Sequence, residues 1–145
     1  MNRLAVASTR ISDAHKALDI AIRLAQTARP AIAIGAWLSE FEGSSHSLVV
    51  RHGPGLPEDS PGHIDGPLWL EPGDSGADPA WFEAGAVEVG LLPVYVHGEQ
   101  RGVLMISSAT LSDPVIRATD ETLTGGIAIN LSKEDSSRET VTTMV

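Results

Sequence analysis

The sequence predicts an α+β domain: an antiparallel sheet, helices from the two ends of the chain on one face, and an irregular segment packed back on it. Three observations predict this. Apolar residues recur at helical spacing only near the two ends of the chain, and strand-like runs between them pair off around short turns. Between Gly53 and Pro79 the chain carries six prolines and six glycines, which excludes regular helix or a central strand. Strands that fold back without an intervening helix form antiparallel sheets, and the helices are then left to one face. A chain of 145 residues fits one such domain. At this length about 68–70 % of the unfolded surface is buried, so neither disulfides nor a metal is needed to hold a core.

Residues 1–11 read as a flexible arm and residues 12–133 as the domain. Ser12 offers an N-cap, and Ala14, Leu18, Ala21, Ala25 and Ala28 recur at helical spacing until Pro30 ends the helix. Ala31 to Phe41 alternates Ile32, Ile34, Ala36 and Leu38 with Ala33, Gly35, Trp37 and Ser39, the pattern of a strand covered on both faces. Glu42-Gly43-Ser44-Ser45 is a turn, and Ser47 to His52 is the returning strand. Inside the proline-rich segment, Leu68 to Glu71 fits a short edge strand. Asp78-Pro79 places an N-cap before a proline at the first helical position, so a helical turn follows. Two tryptophans and a phenylalanine in or beside this segment argue that it packs on the sheet rather than being disordered.

Val87 to Val96 and Arg101 to Ser108 form a second hairpin around His97-Gly98-Glu99-Gln100. Pro93 within it forbids one ladder hydrogen bond and so marks an edge or a bulge. Ser112 or Asp113 with Pro114 starts a last helix, in which Leu123, Ile127 and Leu131 continue at i, i+4 and i+8. Gly125 and Gly126 inside this helix are expected to let it approach the alanine face of the first helix. The helix is expected to stop near Lys133, with residues 134–145 a polar, flexible tail.

Composition excludes several functions. The chain has no cysteine, hence no disulfide scaffold, thiolate metal site or cysteine nucleophile. Its net charge is −9, and nine carboxylates fall between His52 and Gln100 with no lysine or arginine among them. Without a basic stripe, nucleic acid and anionic membrane surfaces are not expected partners. No apolar run reaches a membrane span and the N-terminus is too weak for a signal peptide, so the expected location is cytoplasmic.

Val89 to Ile106, with Leu91-Leu92-Pro93-Val94 and then Gly98-Glu99-Gln100-Arg101-Gly102-Val103-Leu104, resembles the closing hairpin of GAF domains. Asp120 to Leu123 and Ala128 to Leu131 resemble the family's final helix, and residues 12–41 its first helix and first strand. PAS- and roadblock-like α+β domains fit the same order of elements. The resemblance implies a five- or six-stranded antiparallel sheet with N- and C-terminal helices on one face. An irregular lid on the other face encloses a small-molecule pocket. It implies a sensory or regulatory domain that binds a small ligand and signals to a partner protein, and not an enzyme; homodimers are also common among such domains. Residues 53–86 look shorter than the usual lid. The cysteines of bilin-attaching and methionine-sulfoxide-reducing members and the Asn-Lys-Phe-Asp-Glu motif of cyclic-nucleotide-binding members are absent. Where haem-binding members carry a histidine, this chain reads Trp81-Phe82-Glu83-Ala84-Gly85. No output domain is evident, so the expectation is a single-domain member with no cofactor.

On that reading Trp37, Trp69, Trp81, Phe82 and Tyr95 form an apolar box with Met105, and His52 and Ser107 are its polar anchors. The indole and phenol groups need partners when buried, and Ser107 or a lid carbonyl would serve. The competing reading is a ligand-free dimerisation or interaction module in which the same aromatics are solid core. No metal is expected. His46 and His52 share a strand face but span about 20 Å, and Glu71, Asp74 and Asp78 match no calcium loop. Glu83 and Glu88 are the only carboxylates suggested as acids near the box, with nothing in the sequence to say that they are buried.

Overall fold

The chain's structure, a computed structural model, describes residues 20, 22–23, 31–39 and 46–144, with residues 47–48 and 134–144 described by their backbone alone. Strands β1 (Ala31–Leu38), β2 (Ser47–His52), β3 (Leu68–Leu70), β4 (Glu88–Val96) and β5 (Glu99–Ser108) are followed by helix α1 (Pro114–Met144). They form one five-stranded sheet in the order β2-β1-β5-β4-β3 with every pair antiparallel. Residues 20, 22 and 23 are helical. The remainder of the expected first helix, the 1–11 arm and the 42–45 turn lie outside the described residues.

The period of two in β1 decides where the core sits. Ile34, Ala36 and Leu38 join Leu92, Val94, Leu104 and Ile106 in a cluster closed by Leu123, Ile127 and Leu131 of α1. Ala33 and Trp37 point the other way, into a second cluster with Val89, Leu91, Val103 and Met105. That cluster is closed by Leu56, Ile64 and Leu70, with Ala77, Trp81 and Phe82 packed on it. The sheet therefore has a helix face and a lid face, and the proline-rich segment is folded rather than free.

Local signals act as the residue types require. Asp78 accepts from the Ala80 N–H at 2.9 Å and opens a 3₁₀ turn over Pro79–Phe82. Asp113 accepts from the Ile116 N–H at 2.8 Å and starts α1 behind Pro114. Gly53 has φ +86, and a Cβ there would stand 2.1 Å from the Ile32 carbonyl oxygen, so only glycine lets the lid leave β2 so close to β1. Pro93 sits in an interior strand, but β3 pairs only with Val89 to Leu91, and a bulge follows between Val94 and Tyr95. At Pro93 the strand has already become an edge.

One expectation for α1 fails. It does not stop near Lys133 but runs to Met144. After Gly126 the sequence holds no proline or glycine, and nothing else in it ends a helix. Gly125 and Gly126 are both exposed, and among the described residues nothing lies within 4 Å of a Cβ added at either. Leu123, Thr124 and Ile127 turn the opposite side of α1 to the sheet, and the alanine face expected to meet these glycines lies outside the described residues.

Candidate functional site

The lid face is built around Trp37. The residue is fully buried, and its ring lies over Gly35, where an added Cβ would come within 3.0 Å of the indole. Gly35 thus makes room for the ring, and Leu56 of the lid reaches the same spot at 3.1 Å. The indole Nε1 donates to the Glu58 carbonyl at 3.2 Å, so the same side chain that fills the core also holds the lid.

Other hydrogen bonds fasten the lid further along. The Tyr95 hydroxyl donates to the Ile64 carbonyl. Gln100 accepts from the Ile64 N–H at 3.0 Å and donates to the Gly62 carbonyl at 2.9 Å. Lid carbonyls are thus the partners of both the indole and the phenol, while Ser107 serves neither. Ile64 is held from both sides of its peptide and its side chain is buried. Beyond β3, Asp74 closes a turn by accepting from the Glu71 N–H at 2.8 Å. Asp74 and Asp78 therefore shape the loop, and among the described residues no group of three or more His, Asp or Glu stands together as a metal site.

Of the residues expected to form the box, Trp37, Met105, Trp81 and Phe82 meet in the lid-face cluster. Ser107 lies on that face too, between Ala33 of β1 and Val89 of β4. It is buried, and among the described residues its Oγ has no hydrogen-bond partner. Tyr95 stands at the exposed rim. Trp69 does not join the box. Leu70 takes the lid face, so strand alternation turns Trp69 to the helix face, where it crosses Gly90 of β4. His52 does not join it either. It pairs with Ile34, whose side chain is on the helix face, and it is exposed on the edge strand.

Trp69 belongs to a polar cluster on the helix side that the sequence reading did not find. The Arg117 guanidinium lies 4.8 Å from the Trp69 ring centroid. It stands 3.5 Å from a Glu88 carboxylate oxygen and donates through Nε to Ser112 at 3.0 Å. Glu88 is buried and its other oxygen accepts from the Ser112 N–H at 3.2 Å. It is therefore turned away from the aromatic box, and its carboxylate anchors the entry to α1. The missed signal was its alternation with Val87 and Val89. At the hairpin end of the lid face, buried Arg101 donates through Nε to Ser39 Oγ at 2.9 Å and through Nη2 to the Ser39 carbonyl at 3.2 Å. Leu56 and Ile64 also went unnoticed, although they are the only large aliphatic residues between Gly53 and Pro67.

An antiparallel five-stranded sheet held between a C-terminal helix and an irregular lid defines the class of domain. Comparison with solved structures assigns the fold: it is that of a GAF domain. The GAF domain of a two-component sensor histidine kinase from Bacillus halodurans superposes with a TM-score of 0.64 at 14 % identity, covering 85 % of this chain and 96 % of that one. The blue-light absorbing form of the PixJ GAF domain from Thermosynechococcus elongatus gives 0.69 at 7 % identity, covering 93 % and 94 %. A type II free methionine-R-sulfoxide reductase from Thermoplasma acidophilum gives 0.64 at 15 % identity, covering 86 % and 96 %. No protein-family model matches the sequence, and no curated protein matches it. Among the described residues, no helix is long and apolar enough to cross a membrane.

Proposed function

We propose that the chain is a sensory or regulatory domain that holds a small ligand between lid and sheet and passes the state of its lid to a partner protein. The observation that carries this reading is the buried Ser107 hydroxyl, which has no partner among the described residues and lies on the face where the lid aromatics gather; Ser108 Oγ and Trp69 Nε1, likewise without one, lie on the helix face. Buried hydroxyls left unpaired are uncommon in folded proteins, and a ligand's polar group would satisfy this one. The likeness in fold to domains named for a sensor kinase and for blue-light absorption supports a sensory role. The ligand contacts proposed are Trp81, Phe82 and Met105, with Trp37 as the wall and Ser107 as the anchor. A route outward runs through β3, because Trp69 is the next residue to lid-face Leu70 and carries Arg117 of α1 on its ring.

One observation favours a second reading, a ligand-free interaction module with a solid core. Trp37 is completely buried and packed against Gly35 and Leu56. Native mass spectrometry of the purified protein separates the two. The sensory reading expects a discrete adduct that is lost on denaturation, with the lid amides more protected from exchange when it is present. A bare mass, with lid exchange unchanged by any of a panel of small metabolites, establishes the interaction module instead.

A further inference from the structure

We infer that the ligand of the lid face is uncharged, an apolar molecule with a hydrogen-bonding group that meets Ser107. This rests on the reading that the lid face binds a ligand. Ser107 sits in register between Ala33 and Val89, all three at most 2 % exposed, and Met105 is its neighbour along the same face of β5. The lid residues packed on this cluster are Ala77, Trp81 and Phe82. These neighbours carry no charge and, the Trp81 indole N–H apart, no polar side-chain atom, so the Ser107 hydroxyl is the directional contact the sheet offers a guest.

Charge follows from the inventory of buried charges. Among the described residues these are Glu88, Arg101 and Asp120. Glu88 and Asp120 belong to the helix side, and Arg101 lies six residues from Ser107 along β5, bonded to Ser39. Arg51 is on the lid side of β2 but exposed, and the lid carboxylates Glu58, Asp59, Asp65, Glu71, Asp74, Asp78 and Glu83 are exposed as well. A carboxylate, phosphate or ammonium brought to Ser107 would lose its water and find one hydroxyl in exchange, which strongly disfavours it. The same argument removes zwitterions and small anions.

The test is a titration of the full chain, followed at the Met105 methyl by NMR, with benzyl alcohol, toluene, benzoate and benzylammonium. Benzyl alcohol is expected to bind, with benzoate and benzylammonium weaker by at least about ten-fold. Ser107→Val, with Ser107→Ala as a second variant, is expected to weaken benzyl alcohol by roughly three- to ten-fold while leaving toluene unaffected. Binding of either ion as tightly as the alcohol overturns the inference and leaves the ligand-binding reading standing. So does a co-purified charged ligand. Alcohol binding that is indifferent to both Ser107 variants overturns the anchor. If none of the four moves the Met105 methyl and the protein carries no adduct, the inference and the ligand-binding reading fall together.

Discussion

The helix face and the lid face of one sheet are closed in different ways. On the helix face, α1 presents Leu123, Ile127 and Leu131 at regular spacing, with Arg117 paired to Glu88 at its entry. On the lid face, irregular chain has no such period, so its apolar residues are few and widely spaced: Leu56, Ile64, Leu70, Trp81. Irregular backbone also leaves carbonyls without ladder partners, which must be satisfied by something. The sheet meets that need with long polar-tipped side chains, Trp37, Tyr95 and Gln100, each bonded to a lid peptide. The helix is held by a periodic buried stripe and pinned at its entry, whereas the lid needs point attachments along its length. A lid held at a few points can also open locally without unfolding the sheet.

Substitutions break this comparison at different depths. Trp37→Ala removes the largest buried side chain and a lid attachment together, and about 3–5 kcal/mol of stability should be lost in denaturant unfolding. Trp69→Ala, on the half-buried opposite side, should cost clearly less. If the two were equal, the contrast between the faces would not hold. Glu88→Ala leaves Arg117 without its anion and frees the 112 amide. A loss of about 2–3 kcal/mol is expected, and Glu88→Gln should recover part of it. Tyr95→Phe deletes one lid bond and should cost about 1 kcal/mol. Its more telling readout is hydrogen exchange, which should quicken at Ile64 and stay unchanged in β1 and β5. The smallest effect should come from Gly125→Ala. The position is exposed in mid-helix, so Tm should rise, by up to ~1 kcal/mol in stability. A fall there would mean that this side of α1 is packed after all.

Much of this fold was legible because its signals are local. The alternation through Ala33, Ile34, Ala36 and Trp37, the Asp78 and Asp113 caps and the spacing of Leu123, Ile127 and Leu131 need no tertiary knowledge. The candidate site was less legible. Which face takes Trp69 depends on how a three-residue strand registers against β4, and no hairpin turn joins the two to set that register. His52 looked like an anchor because it flanks the loop, but its face is fixed by pairing with Ile34 across the sheet. Gly125 and Gly126 resembled a close-packing signal, yet their angle around α1 places them opposite the buried stripe. The α1 terminus was misjudged because a polar sequence was taken for a tail, when nothing in it breaks a helix.

The shortness of β3 has a consequence for the behaviour of the protein in concentrated solution. Past Leu91 the outer side of β4 has no partner strand among the described residues, and an open strand edge is where one chain adds to another. Here that edge carries Pro93, which has no N–H to offer, then a bulge that breaks the spacing, then Tyr95 tying the lid alongside. A visiting strand would find a missing donor, a broken register and an occupied flank within four residues. The lid therefore guards colloidal stability as well as the core, and a chain whose lid is loosened would be the one to self-associate.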